Sequence, residues 1–184
     1  MIKLHLGCGW RNFGDDWVHI DGGDYDHLDH SDITKLPYED ESVDVIYASH
    51  VLEYFDRTEA TTVLREWIRV LKKGGILRIA VPDFEAMAIM YVMTRNTIEQ
   101  CRLSRFLGPL YGKMQMGDQT IYHKTAYDFS DLALILKCLG IKSVKRYDWR
   151  ETDHSQFDDH SQAYMPHMAK ENGTLISLNV EGIK

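Results

Sequence analysis

Alternating apolar and polar residues at the start of the chain predict a short buried strand over residues 1–7. A second apolar run predicts a strand over residues 17–21. The β-branched and aromatic stretch Val43–Ser49 predicts a third, buried strand. Residues 31–38 are compatible with a further short strand that ends in a loop. The first strand therefore ends in glycines and the second in a carboxylate.

The apolar positions of residues 56–73 lie on one face of a helix. They are spaced three and one residues apart, at Ala60, Val63, Leu64, Trp67, Ile68 and Leu71. Asp56 followed by Glu59 resembles a capping box, and Gly74 and Gly75 predict the end of the helix, with Lys72 and Lys73 in its last turn. A strand follows over residues 76–81. Strand, helix and strand in this order predict a βαβ unit with parallel strands.

The remaining elements complete an α/β pattern. Residues 84–107 are predicted to be mainly helical, residues 108–122 a long loop, and residues 130–139 a second amphipathic helix. Strands over 143–149 and 174–180 end the chain. We therefore expect a single domain over residues 1–184, with a doubly wound, mostly parallel Rossmann-like sheet and an antiparallel C-terminal strand pair. Ligands bind such sheets beyond the carboxyl ends of the strands.

The charge of the chain is unevenly distributed. The net charge is −7, but residues 1–56 carry 13 acidic and 3 basic side chains, and the rest of the chain carries 15 acidic and 18 basic ones. This distribution argues against binding of long nucleic acids, which need a basic face. It favours a cationic ligand near the glycines at the end of the first strand.

The cysteines and the absence of long apolar runs predict the compartment. Cys8, Cys101 and Cys138 are odd in number, far apart and without metal-ligand spacing, which is typical of a reduced cytoplasmic protein. The sequence shows neither a secretion signal nor an apolar run that would cross a membrane. Association with a membrane is therefore not expected, and the oligomeric state stays open.

The glycine loop Gly7-Cys8-Gly9 does not fit two common nucleotide-binding patterns. The dinucleotide-binding pattern needs glycine at position 12, where the chain has Asn12, and no Gly-Lys-Ser/Thr follows as in a P-loop. A nicotinamide-dependent oxidoreductase is disfavoured for that reason. By themselves, the two glycines are also compatible with a simple turn at a strand end.

Several stretches in one order indicate a family. They are Leu6-Gly7-Cys8-Gly9, the strand ending at Asp21, Asp32-Ile33 followed by Leu36-Pro37, Ser42 to Glu53, and Leu64 to Pro82 with its Arg-Val-Leu-Lys-Lys-Gly-Gly helix end. Together they resemble the class I S-adenosylmethionine-dependent methyltransferase family, most of all its small, single-domain members. The resemblance covers residues 2–83 and continues loosely to the C-terminal strands.

The resemblance implies a cofactor site for S-adenosyl-L-methionine. Its residues would be Leu6, Gly7, Cys8, Gly9, Asp21, Gly22, Asp32, Ile33, Ser49 and His50. The glycine loop would pack against the methionine part and the ribose, and Asp21 would accept hydrogen bonds from the ribose hydroxyls. Asp32 and Ile33 would lie beside adenine, and Ser49 and His50 beside the methionine moiety.

Two features depart from the family pattern. Only 11 residues separate Gly9 from Asp21, too few for the usual full helix, and Gly14-Asp15-Asp16 predicts a tight turn there instead. The chain also has Tyr54 where the family often has histidine. These departures leave two functions open. One is a methyltransferase that acts on a small molecule or a glycan precursor, and the other is a catalytically inactive cofactor-binding or regulatory protein with the same fold.

Three residues are candidates for a general base, which a hydroxyl acceptor would need. His50 follows a strand end, Asp83 follows the strand over residues 76–81, and His123 precedes the second clear helix. For each of them, a structural polar residue in a loop or cap is the favoured explanation. Arg95, Arg102, Arg105 and Lys113 form either a solvated helix face or a site for an anionic acceptor such as a phosphorylated or carboxylated sugar. His154, His160 and His167 match no ligand spacing, so we expect no metal.

Overall fold

A six-stranded sheet runs through the protein in the computed structural model, which describes residues 1–94 and 103–184. In chain order the strands are β1 (Lys3–Leu6), β2 (Val18–Ile20), β3 (Val43–Ser49), β4 (Leu71–Pro82), β5 (Met114–Met116), β6 (Gln119–Ile121), β7 (Ser143–Arg146), β8 (Tyr164–Met165), β9 (Thr174–Leu175) and β10 (Ser177–Ile183). The helices are α1 (Arg57–Val70), α2 (Phe84–Thr94), α3 (Ser104–Tyr111) and α4 (Phe129–Cys138).

The order of the strands in the sheet is β2-β1-β3-β4-β10-β7. Strands β1 to β4 are parallel, whereas β10 is antiparallel to both β4 and β7. This confirms the predicted fold class, including the antiparallel C-terminal strand pair. The chain leaves β1 towards β2 on one side and later returns to pair β3 on the other, so the carboxyl end of β1 lies at the switch point where α/β sheets bind ligands.

Helix α1 begins at the predicted capping box. The Asp56 carboxylate accepts the backbone N–H groups of Thr58 and Glu59, and the Glu59 carboxylate accepts the N–H of Asp56, all at 2.8 Å. The predicted C-terminus is wrong by three residues, because β4 starts at Leu71 directly after the helix. Lys72 consequently pairs with Asp44 at 2.8 Å instead of lying against the end of the helix.

The two faces of the sheet are covered differently. Helices α1 and α4 both pack on the face that carries Leu4, Leu6 and Ile46. The opposite face is covered by loops, whose Phe13 ring stacks on His5 at 3.9 Å and on Phe157 at 4.6 Å between ring centroids. The cause is the short connection between β1 and β2, which contains a turn closed by Trp17 N–H and Gly14 C=O and no helix, as its length predicts.

The middle of the chain differs most from the prediction. Helices α2 and α3 occupy parts of the predicted helix over 84–107, and residues 95–102, with Arg95, Cys101 and Arg102, lie outside the described residues. The predicted loop over 108–122 is wrong in part, since it contains the end of α3 and the hairpin of β5 and β6. Residues 31–38 form no strand. Within the described ranges, every helix is too short or too polar to traverse a lipid bilayer.

Candidate functional site

The tips of β1 and β2 are joined through the Asp21 carboxylate. Its Oδ2 accepts the backbone N–H of Gly9 at 2.8 Å, and its Oδ1 accepts that of Gly23 at 2.7 Å. Gly7 N–H donates to the Ile20 carbonyl at 2.7 Å and continues the pairing of the two strands. Each carboxylate oxygen has a second lone pair, so Asp21 can accept further hydrogen bonds from a ligand in the crevice.

The two glycines of the loop are needed for different reasons. Both have positive φ, +66° at Gly7 and +56° at Gly9. A Cβ on Gly7 would lie 2.2 Å from Val51 Cγ2, so this glycine allows the turn after β3 to pack on the loop. A Cβ on Gly9 would meet nothing within 4 Å, so the backbone at Gly9 faces open space that a ligand could enter.

Asp32 and Ile33 follow the single bridge of Ile20 with His30, which extends the parallel pairing beyond β2. The exposed Asp32 carboxylate accepts the Thr34 N–H at 2.8 Å and the Thr34 hydroxyl at 2.6 Å, both at Oδ1, and these bonds lower the pKa of Asp32. The Ile33 carbonyl accepts the Trp67 indole N–H at 2.8 Å. The backbone N–H of Ile33 can donate a hydrogen bond to a ligand at this position.

The other predicted cofactor residues surround the same strand tips. Leu6 and Cys8 are buried. Burial and, to a lesser extent, the nearby charge of Asp21 raise the pKa of Cys8 to about 12, so its thiol stays protonated. Ser49 Oγ is buried without a hydrogen-bond partner among the described residues. A Cβ on Gly22 would lie 2.5 Å from Met116 Cε, which shows that the β5–β6 hairpin extends over the tip of β2.

Two of the three candidate bases meet at a buried carboxylate. Glu53 Oε1 lies 3.3 Å from His50 Nδ1 and 3.7 Å from His123 Nε2. Glu53 is 0 % exposed, and this burial raises its pKa to about 8. Burial lowers the pKa values of His50 and His123. Tyr54, at the position where histidine was expected from the family, packs edge-on against His123 with ring centroids 4.7 Å apart.

Sequence reasoning missed Glu53. The available signal was its spacing, since it follows His50 by three residues in the turn after β3. His50 itself has a φ of +55°, which is rare outside glycine and marks the position as constrained.

The third candidate base, Asp83, has the contacts of a helix cap. Its carboxylate accepts the Ala86 N–H at the start of α2 at 3.1 Å and pairs with Arg146 at 2.9 Å. The histidines over residues 154–167 do not come together. His160 lies 5.3 Å from His50 between ring centroids, whereas His154 belongs to the aromatic cluster on the loop-covered face. No group of three potential metal ligands occurs in residues 1–94 and 103–184.

A cavity of about 400 Å³ opens beside the same edge of the sheet. Tyr164, Met165 and Ile176 line it, together with the cationic or titratable side chains of Arg105 and His167. Ile176 accepts the Asp83 N–H at the end of β4 and directly precedes Ser177, which contacts His50. Ile176, in the lining of the cavity, is therefore one residue along the chain from a contact of His50.

Comparison with known proteins supports the predicted resemblance. Residues 17–79 match the family described as "Methyltransferase domain". This match is consistent with the predicted resemblance to the class I S-adenosylmethionine-dependent methyltransferases. The matched segment of the chain contains Asp21, Asp32, Ile33, Ser49 and His50, and the glycine loop lies just before it. No protein with a curated description matches the chain in sequence.

Solved structures share the fold of the methyltransferase over its whole length. A S-adenosylmethionine-dependent methyltransferase from Archaeoglobus fulgidus has a TM-score of 0.59 and 15 % identity, over 100 % of this chain and 86 % of that one. Another match is the Burkholderia thailandensis 1,6-didemethyltoxoflavin-N1-methyltransferase, crystallised with 1,6-didemethyltoxoflavin and S-adenosylhomocysteine. It has a TM-score of 0.56 and 12 % identity, over 100 % of this chain and 70 % of that one. A chain of the Haloferax volcanii complex that contains the Trm112 methyltransferase activator has a TM-score of 0.54 and 15 % identity, over 99 % of this chain and 81 % of that one.

The family match over residues 17–79 and the shared fold support an enzyme of the methyltransferase type with S-adenosylmethionine as its cofactor. The predicted resemblance, enzyme class and cofactor are thereby confirmed.

Proposed function

We propose that this methyltransferase methylates a small molecule or a glycan precursor, and that residues 1–184 act as one domain. The observation that carries the proposal is the link between Gly9 and Asp21, because it places a carboxylate and an open stretch of backbone in one crevice. This is the arrangement that a nucleoside with an attached amino acid needs. The carboxylate suits the ribose hydroxyls, and the bare backbone allows close approach of the rest.

The cofactor supplies an activated methyl group on a positively charged sulfonium. Asp21 would hold the ribose, while Gly7, Gly9 and the backbone of Leu6 and Cys8 would lie along the ribose and methionine parts. Gly22 and Asp32 with the N–H of Ile33 would border the adenine, and Ser49 and His50 the methionine moiety. The buried, unpartnered Ser49 hydroxyl supports this assignment, since a buried polar atom calls for a partner.

The acidic N-terminal part of the chain supports the binding of a cation. Residues 1–56 have an excess of ten acidic side chains, and a focused negative potential attracts a positively charged ligand. The same potential opposes long nucleic acids as acceptors.

The cavity lined by Tyr164, Met165 and Ile176 supports a small acceptor. Its volume of about 400 Å³ lies within the range of small-molecule sites, and its lining is largely apolar. Arg105 at its rim would suit an acceptor with an anionic group. The Burkholderia thailandensis structure shows a protein of this fold that is bound to a small heterocycle.

Methyl transfer from a sulfonium depends mainly on alignment. Holding the reacting groups in line can supply roughly 7–11 kcal/mol in well-oriented cases. The residues around the crevice would therefore act chiefly by orienting the acceptor and excluding water. For an acceptor that loses a proton, a general base would raise the reaction rate by about 100- to 10,000-fold. Asp83, which is engaged as a helix cap, has no part in this proposal, whereas His50 and His123 do.

Calorimetric titration with S-adenosylmethionine and S-adenosylhomocysteine tests the cofactor site. Both should bind with one-to-one stoichiometry, and the oxidised nicotinamide dinucleotide, used as a control, should give no heat of binding. Absence of binding by both adenosyl ligands would refute the proposal. Production of S-adenosylhomocysteine in the presence of a panel of small hydroxyl, amine and sugar acceptors then separates an enzyme from an inactive cofactor-binding protein.

A further inference from the structure

Glu53 is a buried carboxyl group without a compensating cation. Neither of its oxygens has a hydrogen-bond partner, and its only ion-pair neighbours in residues 1–94 and 103–184 are His50 and His123. A fully buried carboxylate in this situation is costly, so the group must be protonated or paired. Retaining a carboxyl group here, where an apolar side chain would be more stable, indicates a use for its proton.

The titratable groups around Glu53 come from two elements. His50 and Tyr54 lie in the same turn, and His123 and Tyr127 lie in the segment that leads to α4. The Tyr127 hydroxyl is also buried without a partner in the described residues. Arg11 and His160 face His50 from the glycine loop and from the loop before β8, and both disfavour a positive charge on its ring.

A chain of hydrogen bonds assigns the proton of His50. Asn179 donates its amide to the Ser161 carbonyl at 2.8 Å, so its Oδ1 accepts the Ser177 hydroxyl at 2.9 Å. Ser177 Oγ is then the acceptor for His50 Nε2–H at 3.2 Å. Consequently His50 Nδ1 carries a lone pair, and Glu53 faces it with its own proton at 3.3 Å.

The same turn contacts the cofactor crevice. Val51, which lies between His50 and Glu53, packs against Gly7 of the glycine loop. On the other side, the Glu53 carbonyl accepts the Lys124 N–H at 2.8 Å and ties the turn to the segment after the β5–β6 hairpin. The carboxyl group of Glu53 therefore lies 3.3 Å from Nδ1 of a side chain at the proposed methyl-transfer position.

We propose that Glu53 is the proton store of the methyl-transfer site, that it acts through His50, and that the acceptor is a hydroxyl or an amine. This inference rests on the proposed function. As the acceptor oxygen or nitrogen forms its bond to the methyl carbon, the carbon–sulfur bond breaks with its electron pair left on sulfur. The acceptor proton moves to Nδ1 of His50, the ring nitrogen that carries the lone pair, while the Nε2–H stays bonded to Ser177. From Nδ1 the proton passes to the ionised Glu53 that faces it. Glu53 is a positioning residue, and His50 is the group that touches the acceptor.

The charges balance in this scheme. In the loaded site, an ionised Glu53 offsets the positive sulfonium, and after transfer a protonated Glu53 accompanies a neutral thioether. Loading the free protein, in which Glu53 is protonated, must then expel that proton. The raised pKa of about 8 means that most molecules hold the proton at pH 7. The demethylated product carries no sulfonium and should leave the proton in place.

Proton counting by calorimetry tests this inference without an acceptor. Each ligand is titrated at pH 7 in two buffers that differ in enthalpy of ionisation. For the wild-type protein, S-adenosylmethionine should release close to one proton more than S-adenosylhomocysteine. The affinity for S-adenosylmethionine, divided by that for S-adenosylhomocysteine, should rise by up to about tenfold for each unit that the pH is raised below pH 8. Equal proton counts for the two ligands in the wild-type protein would overturn the inference.

Variants assign the proton to Glu53. Glu53→Gln should abolish the difference in proton release while binding of S-adenosylhomocysteine persists, and the exposed control Glu39→Gln should retain the difference. A difference that survives in Glu53→Gln would refute the assignment. If neither ligand binds the wild-type protein, the proposed function has failed, which is distinct from binding with equal proton release.

Discussion

The backbone N–H of Gly9 donates a hydrogen bond of 2.8 Å to Oδ2 of Asp21, twelve residues further along the chain. The contact fixes the glycine loop relative to the tip of the neighbouring strand. It replaces a constraint that a helix after the loop would supply, because the connection between the two strands is too short for one. The carboxylate thus supports the loop and remains able to accept bonds from a ligand.

Asp21→Asn should weaken cofactor binding by about tenfold to 100-fold. The amide keeps the size of the side chain but loses the charge, and hydrogen bonds to a charged acceptor are worth about 1.5–3 kcal/mol. Titration with S-adenosylhomocysteine measures the effect, and Asp24→Asn, at an exposed position in the same loop, is the matched control. Equal affinities of the two variants would show that Asp21 does not contact the ligand.

Gly7→Ala and Gly9→Ala should have opposite main effects. Both introduce a side chain at a positive φ, which costs about 1–2 kcal/mol. Gly7→Ala also forces the new Cβ against Val51, so the free energy of unfolding of this variant should fall by roughly a further 1–3 kcal/mol. Gly9→Ala should leave stability closer to the wild type but block the crevice. Chemical denaturation and ligand titration, carried out on both variants, separate the two effects.

Glu53→Gln should remove a pH dependence of stability. The folded-state pKa of about 8 lies above the ordinary value of 4.5, so the folded state retains a proton that the unfolded state releases. The resulting stabilisation is full below about pH 4.5 and is lost as the pH rises to about 8. The difference amounts to at most about 5 kcal/mol.

Urea denaturation at pH 5 and pH 8.5 measures this effect. The wild-type protein should lose stability between the two pH values by more than Glu53→Gln does, whereas Glu39→Gln should behave as the wild type. An identical pH dependence in all three proteins would mean that the carboxyl group of Glu53 is already compensated in the folded state.

His154→Phe should make the protein less sensitive to acid. His154 lies 4.1 Å from Tyr47 between ring centroids, and burial lowers its pKa to about 4. Because the pKa of His154 is depressed, its neutral ring stabilises the folded state above about pH 6.5. This contribution, about 3 kcal/mol in all, is lost as the pH falls towards 4. Thermal unfolding between pH 7 and pH 4.5 should show a smaller loss in His154→Phe than in the wild type or in the exposed variant His30→Gln.

The sequence predicted those elements whose determinants are local. Helix α1 has a capping box and a regular apolar stripe, and both are properties of adjacent residues. Strands β1, β2 and β4 are apolar runs that end in glycine, aspartate or proline, and β3 is a run rich in β-branched and aromatic residues. The shortness of the connection before Asp21 could be counted directly, and the absence of a helix there followed from the count.

The buried cluster was harder to predict because its members are distant in sequence. His50 and His123 were both candidates, but nothing local indicates that Glu53 lies between them. Asp83 was also a candidate, and only the fold reveals its partner Arg146, 63 residues away. The β5–β6 hairpin was missed because its strands have three residues each and are largely exposed, so they carry no apolar pattern.

The covering of one sheet face by loops has a consequence for the order of assembly. Arg11, two residues after Gly9, is held by the carbonyl of Asp158 at 2.8 Å, across 147 residues of chain. During synthesis on the ribosome, the glycine loop thus emerges long before the segment that supports it. The crevice at the tips of β1 and β2 can reach its final form only after Asp158 has left the exit tunnel, so a nascent chain should acquire affinity for the cofactor no earlier than that point.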